Sequence, residues 1–186
     1  MIARGIFFAL LLIFALAIAG CNQPGSGDSV GNTSSSSEVA NTSEVIEKKI
    51  MTSLLPYDGF TYKSVNITCD GSTIDVVATS PELDGTDIYR FVYDNGTLIL
   101  KSYCLEALPL SLKEKAIAIA MSDERVRNQN PSGEVTVRRV LPETASKFYQ
   151  PKELFSVTWH GETIVSALVD VEEEIVVSVW NSRSSD

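Results

Sequence analysis

The side chains able to do chemistry are few in this chain and widely spaced. His160 is the one histidine of 186 residues, and it follows Trp159 where a hairpin turn is expected. A Ser-His-Asp arrangement would have to use it, yet no Gly-X-Ser-X-Gly elbow accompanies it. A hydrolytic site would need Asp94 and Asp170 gathered beside His160 in one cleft with shifted pKa values. Metal-ligand spacing is absent too: there is no Cys-X-X-Cys, no His-Glu-X-X-His and no EF-hand loop. The acidic run Glu172-Glu173-Glu174 reads as a polar turn. The expectation is a protein with no catalytic residue, no metal and no cofactor.

Three cysteines remain, and the first has the most informative surroundings. Residues 6 to 19, IFFALLLIFALAIA, are fourteen apolar residues behind a single charge at Arg4. A spanning helix needs about 20 such residues, so this run is too short to cross a bilayer and suits the apolar core of a secretory signal peptide. Its last positions, Ile18-Ala19-Gly20-Cys21, resemble the lipobox of prokaryotic lipoproteins: a branched residue, two small residues and the cysteine that takes lipid on its sulfur. The resemblance implies cleavage before Cys21 and a mature protein anchored to the extracytoplasmic side of the cell membrane. The alternative is an uncleaved signal anchor that happens to end in Cys. One acyl chain holds only marginally at about 0.8 kcal/mol per buried methylene, so stable anchoring implies two or more chains.

Residues 21 to 42 carry almost no large apolar side chain and no Lys or Arg, which gives the expectation of a disordered tether with an r.m.s. span of about 25 Å. Four Asn-X-Ser/Thr sequons occur, at Asn32, Asn41, Asn66 and Asn95. They are either glycosylation sites, which together with the lipobox would fit an archaeal envelope, or coincidences of a Ser/Thr-rich chain. The net charge is −9, and a surface this acidic repels a phosphate backbone, which excludes nucleic acid as a partner. Lys48-Lys49 and Arg138-Arg139 are isolated basic pairs and read as solvated faces.

Beyond the tether the pattern becomes regular. Residues 43 to 55 place Val45, Ile46, Ile50, Met51, Leu54 and Leu55 on one side of a helical wheel, with Ser43 as N-cap and Pro56 as stop. The period then changes to two over 60–69, 72–79, 87–94 and 97–105, with Asp70-Gly71 and Asn95-Gly96 as type I′ hairpin signals. The same order recurs. A helix opens at Ser111, where Ser111 and Glu114 suggest a capping box, with Leu112, Ala116, Ile117, Ala120 and Met121 along one face. Strands follow at 134–141, 154–160, 162–170 and 174–180. The expected fold class is α+β: two tandem units, 43–108 and 109–186, each a helix plus a four-stranded antiparallel sheet, behind a signal peptide (1–20) and the tether (21–42).

The second unit resembles a PepSY domain on its Ala-rich helix, EKAIAIAMSDERV, and on Val169-Asp170 before the closing turn; residues 43 to 105 form a weaker copy. The resemblance implies a cystatin-like helix-on-sheet fold and a role in binding or restraining peptidases or other envelope proteins. The sequence departs from the pattern in its last turn, where VEEE replaces Thr-Gly.

Two features remain open on sequence. Cys69 and Cys104 invite a disulfide outside the membrane. In an up-and-down meander, however, they fall at opposite ends of the sheet, about 26 Å apart along eight strand residues, whereas a bond needs Cα atoms within about 7 Å. Their bonding therefore tests strand order, and two separate buried thiols are the alternative. The second is the connection 142–153, PETASKFYQPKE, long for a hairpin. There Phe148 and Tyr149 either meet a partner or plug the open side of the sheet. The function expected is a lipid-anchored, non-enzymatic module binding an envelope protein or peptide; the alternative is a small-ligand protein with a pocket between helix and sheet.

These readings predict the fate of Cys21→Ser in a producing cell. Wild-type protein should show by intact mass an N-terminus at Cys21 carrying lipid, and should partition into detergent. The variant should keep residues 1–20 and lose the lipid mass.

Overall fold

The computed structural model describes residues 36–183, with side chains from 44 to 182. Its elements run α1 (Ser36–Ser53), β1 (Ser64–Asp70), β2 (Thr73–Thr79), β3 (Asp87–Asp94), β4 (Thr97–Leu105), α2 (Leu110–Ser122), α3 (Glu124–Arg127), β5 (Glu134–Val140), α4 (Pro142–Ala145), β6 (Leu154–His160), β7 (Thr163–Asp170) and β8 (Ile175–Arg183). Strand alternation and turn chemistry produce these elements locally. Asn95 and Gly96 both take positive φ, 46° and 80°, as a type I′ turn requires. At the first hairpin the turn moves one residue on: Asp70 pairs with Thr73 and only Gly71 has positive φ, 59°.

All eight strands form one antiparallel sheet in sequence order. This corrects the expectation of two tandem units, each a helix plus a four-stranded sheet, whose packing against each other the sequence left open. The join is the pair Leu105↔Arg139 between β4 and β5. Directly opposed residues share a face, so the register defines a row across the sheet: Ala78, Asp87, Leu105, Arg139, Phe155, Val169, Val176. Alternation within each half looks the same whether the halves stay apart or join, because one cross-strand pair makes the difference.

Both long helices cover the face that carries this row. Ile46 and Ile50 of α1, with Leu54 just past its end, pack with Ile74, Val76, Ala78, Tyr89 and Phe91; burying each large side chain contributes about 1.5–3 kcal/mol. On α2, Ala116, Ile119 and Ala120 pack with Val137, Val157, Ala167 and Val169. The apolar stripes are narrower than the wheel implied, since Val45, Met51, Leu55 and Met121 are exposed. Helix α1 begins at Ser36, earlier than the Ser43 cap, so the backbone of residues 36–42, assigned to the tether, is helical. Helix α2 is capped at Pro109 with no side-chain bond, and the Ser111–Glu114 box does not form. Asp123 ends α2 and accepts a bond from the Arg125 amide to start α3.

The opposite face is asymmetric. Over β5–β8 it is covered by the connection 142–153, with Ala145 packed against Leu154 and Leu168. That segment is held at its end by Lys152, whose ammonium pairs with the fully buried Asp170 carboxylate. Asp170 Oδ1 also accepts the Glu172 and Glu173 amides and so orders the acidic turn. Over β1–β4 the corresponding face leaves Val77, Ile88 and Ile99 exposed.

Gly133, at the entry to β5, has φ +87°, and a Cβ there would collide with the His160 carbonyl. Gly133→Ala combines left-handed strain with backbone overlap, so urea denaturation should show a loss of about 3 kcal/mol. Gly59→Ala, with open space around its Cβ, should lose only about 1 kcal/mol.

Candidate functional site

Strands β4 and β5 meet at one point and then diverge, and the sequence supplies the reason on each side. In β4 the register skips Lys101 between Phe91↔Leu100 and Arg90↔Ser102, a bulge that bends its strand. In β5 pairing stops at Val140, because Pro142 has no N–H for a ladder and instead starts α4. Beyond Leu105 the chain turns away too, exchanging backbone bonds between Leu108 and Asp84 at 2.9 and 3.0 Å. Among the described residues, Thr97–Cys104 of β4 therefore have a strand partner only on the β3 side.

The divergence opens a cavity of about 490 Å³ lined by Lys101, Ser102, Cys104, Arg138, Val140 and Thr144, among others. Its lining includes Lys101, Arg138 and Arg139 and no carboxylate. Arg138 Nε donates to Glu106 Oε1 at 2.7 Å just outside it. Tyr103 spans the seam: its hydroxyl donates to Thr144 Oγ1 at 2.7 Å and accepts from the Leu141 amide at 3.2 Å. The connection carrying Phe148 and Tyr149 is thereby tied to the β4 side of the opening.

Beneath the seam lies a buried polar network. Arg139 is only 5% exposed. Its guanidinium donates to the Leu55 and Pro56 carbonyls just past the end of α1, lies 5.8 Å from the Tyr57 ring and pairs with Glu153 at 3.5 Å. Two strands away in the same row, across Leu105, Asp87 is 1% exposed; it accepts Tyr62 Oη at 2.5 Å and the Ala107 amide at 2.7 Å. Tyr62 and Tyr89 share a further bond at 2.6 Å, and Tyr89 Oη accepts the Leu55 amide. Burial is the main cause that raises the Asp87 carboxyl above its ordinary value, against the lowering effect of its hydrogen bonds. Burial, with the bonds to Asp87 and Tyr89, likewise pushes the Tyr62 phenol up.

The residues singled out from sequence are dispersed. Cys21 and Asn32 lie outside the described residues, and Asn41 sits on α1 with its side chain outside them. Asn66 is exposed on edge strand β1, in line with Val77 and Ile88, and Asn95 is exposed in its turn. Cys69 and Cys104 are not bonded to each other; they lie three strands apart, opposite Ile74 and Ile88. Phe148 is 64% and Tyr149 39% exposed, so Ala145, not this aromatic pair, covers the sheet. His160 bonds Thr136 through Nε2 at 2.9 Å and stands at the end of the sheet opposite to Asp94 and Asp170, so the three share no cleft. Among the described residues no group of His, Cys, Asp and Glu is placed to hold a metal, and no helix is long and apolar enough to cross a membrane.

Sequence reasoning missed Asp87 and Arg139, and it misplaced Arg139 on a solvated face. The signal was present: two adjacent charges in a strand point to opposite faces, so one of Arg138 and Arg139 must turn inward. Compared with protein-family models, curated proteins and solved structures, the chain finds no match. Its functional reading rests on its own residues.

Asp87 gives a pH prediction. A carboxyl with a raised folded pKa contributes stability that is complete below about 3.8 and is lost as pH rises through the folded value. Asp87→Asn keeps an acceptor for the Ala107 amide and removes that loss. In urea denaturation from pH 3.5 to 8, the advantage of wild type over the variant should be greatest at acid pH and shrink as pH rises. A difference independent of pH would contradict it.

Proposed function

We propose that this chain is a lipid-anchored envelope protein, attached through Cys21 on the extracytoplasmic side, whose sheet binds a protein or peptide partner without catalysing a reaction. The observation that carries this reading is the open seam between β4 and β5. A sheet that leaves most of one strand without a lateral neighbour keeps backbone donors and acceptors available to another chain. Beside the seam, the connection that begins at α4 presents Phe148, an exposed aromatic of the kind that anchors interfaces. The lipobox-like run Ile18-Ala19-Gly20-Cys21 agrees with a partner in the envelope. The face between the helices and the sheet is filled by Ile50, Tyr89, Ala116 and Val157, which favours contact at the seam over a small ligand held under a helix.

A photo-crosslinking residue at position 148 of the full-length protein, activated in native envelopes, tests the reading. One protein adduct should dominate, and it should be lost when Tyr149→Ala is added. Diffuse labelling that Tyr149→Ala does not change would overturn the proposal.

A further inference from the structure

Resting on that reading, we infer that the β4–β5 seam is a strand-addition site for an extended peptide segment bearing carboxylates. Three observations select this ligand class. First, the surface offered is a strand edge. From Thr97 to Cys104, β4 pairs on the β3 side alone, and the partner matching such an edge is another extended backbone at 4.7–4.9 Å. Second, the vacancy is built in by covalent features. Pro142 ends β5 at Val140 and the Lys101 bulge turns β4 aside, so closing the seam by sliding the two strands together is blocked by a residue that cannot donate.

Third, the charge is local and opposite to that of the molecule. The chain carries −9 overall, whereas the cavity is lined by Lys101, Arg138 and Arg139 with no carboxylate among its lining residues. Arg139 is committed to the Leu55 and Pro56 carbonyls and Arg138 shares Glu106, which leaves the exposed Lys101 as the cation most open to an incoming carboxylate. Lys101 is also the bulge residue, so its position on the edge is fixed by the same distortion that opens the seam. Side chains of an added strand alternate between faces. Those on the face away from the helices would lie beside Cys104 and the exposed Ile88 and Ile99, so the segment that fits alternates carboxylates with apolar or β-branched residues.

The test uses the full-length protein in detergent micelles and three end-capped peptides. These are one alternating threonine with glutamate, its threonine and lysine counterpart, and the glutamate peptide N-methylated at alternate backbone nitrogens. Amide hydrogen exchange read across β4 is the main measurement. The glutamate peptide should slow exchange at the Thr97–Cys104 amides not already paired with β3, and the lysine and N-methylated peptides should leave them unchanged. Lys101→Glu, an exposed substitution that keeps the fold, should weaken glutamate-peptide binding by about threefold to tenfold, the size of one exposed ion pair exchanged for a repulsion.

Unchanged exchange across β4 at saturating glutamate peptide, or equal protection by the N-methylated peptide, would overturn strand addition. Equal binding of the lysine and glutamate peptides would overturn the acidic class. If position 148 still crosslinks one partner while β4 stays unprotected, the binding function stands and this site falls; if both fail, the proposed function falls with it.

Discussion

The fold depends on one buried cation. Arg139 sits in the row that crosses the whole sheet, in the one register pair joining β4 to β5, and its guanidinium caps the carbonyls just past α1. Carbonyls at a helix end have no partner in the helix and attract positive charge. A buried guanidinium in turn needs several acceptors to offset its desolvation. The two terminal guanidinium nitrogens meet these carbonyls, while Nε stays buried without a hydrogen-bond partner, and α1 is thereby fixed over the first half of the sheet by a side chain that belongs to the second.

Asp87 and the two tyrosines extend this arrangement. Tyr89 takes the Leu55 amide while Arg139 takes the Leu55 carbonyl, so both backbone groups of one residue are held from two strands in opposite halves. An apolar core could pack a helix here, but it would set its position along the strands less sharply than directional bonds do. The same row leaves little freedom at the seam. β4 and β5 must meet at Leu105 and Arg139, and the bulge at Lys101 and the proline at 142 make them part immediately afterwards. Junction and opening have a common origin.

The two faces divide the labour. The helix side is packed and carries the buried polar network. The other side is covered over β5–β8 by the connection that Lys152 fastens to Asp170, and left bare over β1–β4, where Val77, Ile88 and Ile99 remain exposed. The seam lies at the boundary between covered and bare surface. Edges and bare apolar faces are liabilities in an isolated sheet, and their coincidence with a basic lining in an acidic protein is what gives the site its chemical character.

How much was legible in the sequence follows from the range of each force. Alternation and turn residues act over a few positions, and they placed β3, β4 and β6 at 87–94, 97–105 and 154–160, as observed. The type I′ turn at Asn95-Gly96 was legible for the same reason, and so was the separation of Cys69 from Cys104 in a meander. Where a choice hung on a distant contact, the sequence was silent or misleading. The start of α1, the inward turn of Arg139, the failure of the Ser111–Glu114 box and the joining of two expected sheets into one all belong there. By itself the sequence determined the strands, the two long helices, their order and the net acidic charge, because these depend on neighbours along the chain. Only the tertiary structure decided that a single sheet forms with a gap beside β4, because that outcome rests on one cross-strand pair and on a buried charge whose acceptors lie more than eighty residues away.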